Sequence, residues 1–141
     1  MKRIPFTLLA LLAATGVSAQ DILPGMWEIT LETRVEGAAG FTPEPYKMNQ
    51  CFTAADARDP SRVLGPLANP GASGCTYSDK HYAGSTFRFT MECAGALSLK
   101  TRGELSFSAN QMSGTMSTSG NVLGQSTQFR SLISAQRLGG C

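Results

Sequence analysis

Hydrophobic and polar residues alternate along several stretches of the chain, and a period of two is typical of a strand with one buried face. The clearest stretch covers residues 27–35, where a tryptophan, an isoleucine, a leucine and a valine fall on one side and mainly charged or hydroxyl residues on the other. Residues 86–93 repeat the pattern with two phenylalanines, a methionine and a cysteine on one side. Both stretches predict half-buried β-strands.

Further β-prone segments raise the expected number of antiparallel strands to about seven. These segments cover residues 46–50, 75–82, 97–108, 112–119 and 125–137. Turn-forming residues near Gly84 and at 121–124 separate neighbouring segments and predict hairpins. Gly103 interrupts the segment 97–108 and predicts a bend in that strand.

One short helix is expected among these strands. Thr53 followed three residues later by Asp56 has the spacing of a capping box and predicts a helix near 53–59, after which Pro60 ends it. Proline and glycine residues in 66–74 predict an irregular connection. We therefore expect an all-β fold, a curved meander that forms either a half-open barrel or a small sandwich.

The first residues predict export. Lys2 and Arg3 precede an apolar run at 6–14, and small residues near position 19 fit a leader-peptidase site, so 1–19 is interpreted as a secretory signal. The run is too short to span a bilayer, and Gln20 stands where a lipid-anchored protein needs a cysteine. We expect a single domain over 20–141, located in the bacterial periplasm, without a membrane span or a lipid anchor.

Charge argues against a nucleic-acid partner. Once Lys2 and Arg3 are removed with the signal, the ten remaining basic residues balance ten acidic ones. The basic residues are also scattered along the chain, whereas nucleic-acid binding needs a clustered basic surface. We expect no nucleic-acid binding.

The four cysteines predict a disulfide scaffold, because an even number of them in a small exported domain is typical of one. If the 75–93 hairpin turns about Gly84, Cys75 and Cys93 lie opposite each other, which leaves Cys51 for Cys141. A register error of one residue would undo this assignment, so the other two pairings stay open. The cysteine spacings do not match a zinc site, and we assign no metal ligand.

An ordered set of short motifs resembles a family of small exported proteobacterial proteins that is catalogued only as a domain of unknown function. The motifs are Pro24-Gly25-Met26-Trp27-Glu28-Ile29-Thr30, Gln50-Cys51-Phe52-Thr53, Cys75, Thr90-Met91-Glu92-Cys93, Gly114-Thr115-Met116 and the final Gly-Cys. The resemblance extends over nearly the whole exported chain. It implies an all-β domain in the periplasm, and it implies no activity.

An apolar interior is the first candidate for a binding site. Gly25-Met26-Trp27 also resembles the Gly-x-Trp that opens the first strand of lipocalins, in which an arginine near the chain end covers the tryptophan, as Arg137 would here. The alternative is that Trp27 only fills one end of the core. The ligand hypothesis places an apolar molecule inside the sheet. Its candidate binding residues are Trp27, Leu31, Phe87, Phe89 and Phe107.

Two other classes of function remain as alternatives. Methionines are soft ligands that suit Cu(I), although they also serve as core filler. The candidates are Met48, Met91, Met112 and Met116. A hydrolase is the second alternative, because His81 lies near Asp79 and Ser78, but no nucleophile elbow accompanies them. We assign no catalytic residue and no cofactor. We expect a non-catalytic binding or accessory protein whose partner is an apolar small molecule or an envelope protein.

Overall fold

The alternating segments fold into one antiparallel sheet, which a computed structural model describes over residues 22–37, 40–68, 74–95 and 98–141. The strands of the described residues are β1 (Gly25–Val35), β2 (Tyr46–Phe52), β3 (Cys75–Ala83), β4 (Thr86–Cys93), β5 (Leu99–Phe107), β6 (Gln111–Val122) and β7 (Gln125–Gly139). The helices are α1 (Ala54–Arg58) and α2 (Ser61–Ala68). The predicted all-β meander is confirmed, and the predicted signal at 1–19 and Leu97 of the predicted fifth strand lie outside the described residues.

The strands follow the order β2-β1-β7-β6-β5-β4-β3, and every neighbouring pair is antiparallel. Strands β3 to β7 form a continuous meander, and the β1–β2 hairpin is added beside β7. The first and last strands therefore meet inside the sheet, while β2 and β3 form its two edges. Within the described part of the chain these edges do not pair with each other, so the sheet is open. All seven described strands belong to this one sheet, so the fold is not a sandwich of two sheets.

One face of the sheet, the inner face, carries the core. Residues that face each other across neighbouring strands share a face, so the buried rows continue from strand to strand. The inner-face apolar side chains that are most buried are Trp27, Ile29, Phe52, Phe87, Phe89, Met91, Leu105, Phe107, Met112, Met116 and Ile133. Gly103 makes room for the ring of Phe89, and Gly114 makes room for Leu105. The outer face carries exposed charged and hydroxyl residues, including the ion pairs Arg88–Glu104 and Lys100–Glu92.

Two helices cover part of the inner face. The capping box at the start of α1 is confirmed, since Thr53 Oγ1 accepts a hydrogen bond from the Asp56 amide at 3.2 Å and the Asp56 carboxylate accepts one from the Thr53 amide at 3.0 Å. We call α1 and α2 together the lid. Neither helix described here is long and apolar enough to cross a membrane.

The prediction of an irregular connection at 66–74 is wrong at its start, because residues 66–68 belong to α2. Gly65 and Pro66 weaken the helix signal in the sequence. Tertiary contacts compensate: Leu64 is fully buried, and Gly65 packs closely against Met91 and Tyr77. Residues 69–73 lie outside the described part.

The β3–β4 hairpin pairs Cys75 with Cys93, but the turn predicted for it is wrong. The turn consists of Gly84 and Ser85, with Gly84 at φ 58°, and this alone would place Cys75 opposite residue 94. A bulge at Ser78 adds one residue to β3 and restores the alignment of the cysteines. Both disulfides of the predicted pairing are present in the structure, Cys75–Cys93 and Cys51–Cys141.

Candidate ligand site on the inner face

The candidate binding residues lie together on the inner face, beneath the lid. Trp27 and Leu31 come from β1, Phe87 and Phe89 from β4, and Phe107 from β5, and all five are buried. The alternation of the sequence places them there, because each occupies an inward position of its strand.

The aromatic side chains form two groups. Trp27 stacks on Phe52 of β2 with ring centroids 5.5 Å apart. The second group lies on the same inner face, near the β3 edge of the sheet. There Phe87 stacks on Phe89 at 5.3 Å and on Tyr82 at 4.5 Å, and Tyr77 meets Phe87 and Phe89 edge to face. Sequence reasoning missed Phe52 and the two tyrosines. Tyr77 and Tyr82 are five residues apart, so a regular strand would point them to opposite faces. The bulge at Ser78 turns both side chains inward.

The inner face is closed at the end of the sheet where β1 and β6 begin and where β2, β5 and β7 end. We call this end of the sheet the sealed end. The Trp27 indole N–H donates to the Leu23 carbonyl at 3.1 Å, and the indole is fully buried. Arg137 faces Trp27 across the β1–β7 ladder, and its Nε donates to the Pro24 carbonyl at 2.8 Å. The Cys51–Cys141 disulfide ties β2 to the chain terminus at this same end.

Burial falls away toward the opposite end, which we call the open end. Along β1 the inward residues change from fully buried Trp27 to half-buried Val35. Phe129 of β7 faces Val35 across the ladder and is also half-buried. At the start of β2, Met48 is half-buried and Tyr46 is exposed. The inner face of β1 and β7 therefore carries no charged residue between Arg137 at the sealed end and the partly exposed rim at Val35 and Phe129.

Two pairs of hydroxyl groups interrupt this lining near the open end. Thr33 and Ser131 are linked by a hydrogen bond of 2.9 Å, and Thr101 and Thr118 by one of 2.8 Å. The pairs lie in adjacent rows of the ladder: the Thr33 row also carries Phe89, and the Thr118 row also carries Phe129 and Val35 at the rim. They are neutral donors and acceptors within a largely apolar lining.

Hydrogen bonds fasten the lid to the edge strand β3. The Tyr82 hydroxyl donates to Asp59 Oδ1 at 2.8 Å, and the Tyr77 hydroxyl donates to the Ser61 carbonyl at 2.7 Å. The Ser61 hydroxyl donates to the same Asp59 oxygen at 2.5 Å, and Lys80 Nζ approaches Ser61 Oγ at 3.5 Å. We call these five residues the lid anchor.

Electrostatics favours the neutral tyrosines and the ionised aspartate of the lid anchor. Burial, together with the hydrogen bond to Asp59, raises the pKa of Tyr82 to about 12. Burial also raises the pKa of Tyr77. Burial alone would raise the pKa of Asp59, but hydrogen bonds from Ser61 and Tyr82 and the charge of Lys80 outweigh it, so that pKa is lowered. The donors and acceptors are thus in their matching protonation states at neutral pH.

The lid anchor combines a serine, a lysine and a carboxylate, yet its geometry suits attachment rather than catalysis. Ser61 is only 3% exposed, so a substrate could not reach its hydroxyl without displacing α2. That hydroxyl donates to an ionised carboxylate, and no strained turn presents it to a substrate. His81 is exposed on the outer side of β3, where its partner across the ladder is Arg88. The structure therefore does not build a triad around His81.

The four methionines do not converge on one point. Met91, Met112 and Met116 are buried core residues on β4 and β6, and Met48 is on β2. One strand lies between β4 and β6, and two lie between β6 and β2, so the sulfur atoms start from strands about 10 to 14 Å apart. No cluster of histidine, cysteine, aspartate and glutamate suited to a metal occurs in the described ranges.

A groove of about 480 Å³ also lies on the outer face, away from the lid. Its floor is a row of hydroxyl groups from four adjacent strands, Thr30, Ser106, Ser113 and Ser134. Glu28 is the carboxylate of its described lining, so the groove offers no acid–base pair. The inner face, with its largely apolar lining beneath the lid, is the better candidate for a binding site.

The comparisons with known proteins bear on the whole fold rather than on one residue. A family model described as a protein of unknown function, DUF3617, matches residues 22–141, a range that includes every strand and both helices described above. No curated protein and no solved structure matches the chain. The match confirms the resemblance that the short motifs indicated, and the chain belongs to the DUF3617 family of proteins of unknown function.

Proposed function

We propose that this protein binds an apolar small molecule between its lid and the inner face of the sheet, without catalysing a reaction. The observation that carries the proposal is the largely apolar lining, which is sealed at Trp27 and partly exposed at Val35 and Phe129. Apolar pockets with a few polar groups near one end are the common form of small-molecule sites. The hydroxyl pairs at Thr33 and Thr101 supply those polar groups.

Binding requires the lid to move, since the lid and the sheet's own side chains fill the inner face. The lid consists of helices of five and eight residues, which are too short to be stable on their own. Helical segments held by few contacts open at low free-energy cost. The side-chain hydrogen bonds of the lid anchor join the lid to β3 alone, so they can break while the sheet stays intact.

We place this activity in the periplasm. The proposed secretory signal at 1–19 and the two disulfides support that location, because disulfides form and persist in oxidising compartments. A carrier of apolar molecules has a clear use in an aqueous compartment, where such molecules are poorly soluble.

The test is dye displacement from the purified, oxidised protein. N-phenyl-1-naphthylamine should fluoresce on binding, and oleate should displace it, while the emission of Trp27, the single tryptophan of the chain, should shift. The proposal would be contradicted if the dye fluorescence did not increase and the Trp27 emission stayed unchanged.

A matched pair of variants shows whether the dye occupies the inner face. Phe129→Lys places a charge at the inner rim, whereas Gln128→Lys places the same charge on the outer face one residue earlier. We expect the first variant to weaken dye binding about tenfold, because it puts a charge against the apolar lining, and the second to leave it unchanged. Equal effects would mean that the dye binds elsewhere. Thermal melts confirm that both variants are folded at the assay temperature.

A further inference from the structure

The β6–β7 hairpin extends beyond the rest of the sheet at the open end. Strand β5 pairs with β6 only as far as Ser119, and β1 pairs with β7 only as far as Phe129. The last three rungs, Gly120–Thr127, Asn121–Ser126 and Val122–Gln125, therefore have no paired strand on either side in the described chain. At about 3.3 Å per residue they project about 10 Å. A two-stranded ribbon has little stability of its own in water.

The tip of this hairpin carries a residue that folding does not explain. Leu123 and Gly124 form the two-residue turn, with φ angles of 53° and 78°. Turns of this kind favour Asn-Gly, because left-handed backbone is unfavourable for a leucine. Leu123 is also 98% exposed, so its side chain gains no packing in return. Left-handed backbone at an exposed leucine is the kind of strained feature from which a functional contact can be inferred.

Two more exposed aromatic side chains lie at the same end of the sheet. Phe41, in the connection from β1 to β2, is 62% exposed, and Tyr46 at the start of β2 is exposed as well. No charged residue occurs between Glu104 and Arg130, so the whole projecting hairpin is uncharged. Burying a charge is the usual obstacle to inserting a protein segment into an apolar medium. Insertion of this tip would bury none.

We propose that the open end docks on the surface of a lipid bilayer, with Leu123 and Phe41 inserted at the boundary between headgroups and acyl chains. This inference rests on the proposed function, because a bilayer is the reservoir from which a carrier would take an apolar molecule. The lack of charge on the hairpin fits a zwitterionic surface, and a tyrosine such as Tyr46 is favoured at the headgroup level. Docking in this orientation places the rim at Val35 and Phe129 toward the lipid.

The experiment is flotation of the full, oxidised protein with phosphatidylcholine vesicles, repeated with vesicles that contain phosphatidylglycerol. We expect the natural chain to float with both kinds. Leu123→Asn should lower the partition coefficient about five- to tenfold, because an apolar side chain is lost from the bilayer. Leu138→Asn is the matched control, since Leu138 is 56% exposed at the sealed end, and it should leave partitioning unchanged.

Misfolding does not confuse this test, because asparagine suits the turn better than leucine and Leu123→Asn should melt no earlier than the natural chain. A natural chain that stays unbound would overturn the proposal and leave a protein partner as the occupant of the tip. Binding confined to anionic vesicles, or equal loss in the two variants, would overturn it as well. Dye displacement without vesicles reports the proposed function separately, so failure of one is distinguishable from failure of the other.

Discussion

The two ends of the sheet differ in how completely they are closed. At the sealed end, Trp27 is fully buried, Arg137 holds the Pro24 carbonyl, and a disulfide fixes the last residue of the chain. At the open end, the inward residues Val35 and Phe129 are half-exposed, and a hairpin projects past its neighbours. Along β1 and β7 the sealed end is therefore the more completely buried of the two, while the open end keeps more apolar surface exposed.

The disulfides give the largest test of this comparison. Replacing Cys51 and Cys141 together by serine should lower the free energy of unfolding by about 4.6 kcal/mol, because that link closes a long loop, with a sequence separation of 90. The same change at Cys75 and Cys93, with a separation of 18, should cost about 3 kcal/mol. Chemical denaturation measures both. Equal losses would contradict the dependence on loop length.

Two phenylalanines on the inner face allow the packing at the two ends to be compared through the stability lost when each is truncated. Phe87→Ala should lower the free energy of unfolding by about 3 to 5 kcal/mol, because it leaves a cavity beneath the lid. Phe129→Ala, at the half-exposed rim, should cost about 1 to 2 kcal/mol. Urea titration of the two variants checks the order. A reversed order would contradict the assignment of the open end.

Removing one hydroxyl tests the lid anchor. Tyr82→Phe deletes the hydrogen bond to Asp59 and should lower the free energy of unfolding by about 1 to 2 kcal/mol. It should also raise the affinity for the apolar dye, since a looser lid opens more often. Ser117→Ala, which removes an exposed hydroxyl from the outer face of β6, is the control and should change neither quantity. An unchanged dye affinity in Tyr82→Phe would mean that this anchor does not restrain the lid.

Alkaline pH should loosen the lid in the same way. The pKa of Tyr82 is raised from 10.0 to about 12, so the fold favours its neutral form. The corresponding stability is complete below pH 10 and is lost as the pH rises through about 12. Tyr82→Phe should therefore show a shallower loss of stability above pH 10 than the natural chain. Parallel curves for the two proteins would assign the alkaline loss to other groups.

The smallest effect expected is a gain in stability at the open end. Leu123→Asn should raise the free energy of unfolding by about 0.5 to 1 kcal/mol, because asparagine adopts the left-handed turn conformation more readily than leucine. Differential scanning calorimetry measures the shift. A loss instead of a gain would show that Leu123 contributes to the fold and weaken the case for a docking role.

Much of the fold follows from local patterns in the sequence. Alternation is strict on β1 and β4, so it predicts their buried faces, and Thr53 with Asp56 marks the start of α1. Other features depend on contacts that no local pattern carries. Helix α2 contains Gly65 and Pro66 and forms only because Leu64 and Gly65 pack against the sheet.

The candidate site was predicted in part for the same reason. The five apolar residues were found because each occupies an inward position on a regular strand. The lid anchor was missed because the bulge at Ser78 changes the parity of β3 between Tyr77 and Tyr82. The same bulge compensates for the wrong turn assignment at Gly84, so the pairing of Cys75 with Cys93 was correct although the register near the turn was not.

The strand order has a consequence for biogenesis. Because β7 lies between β1 and β6, the β1–β2 hairpin has no neighbouring strand until the C-terminal residues are available. A nascent chain can build the meander from β3 onward, yet it cannot incorporate its own β1–β2 hairpin before β7 exists. Completion of the sheet thus depends on β7, and the link from Cys51 to Cys141 then ties the end of β2 to the segment that follows β7.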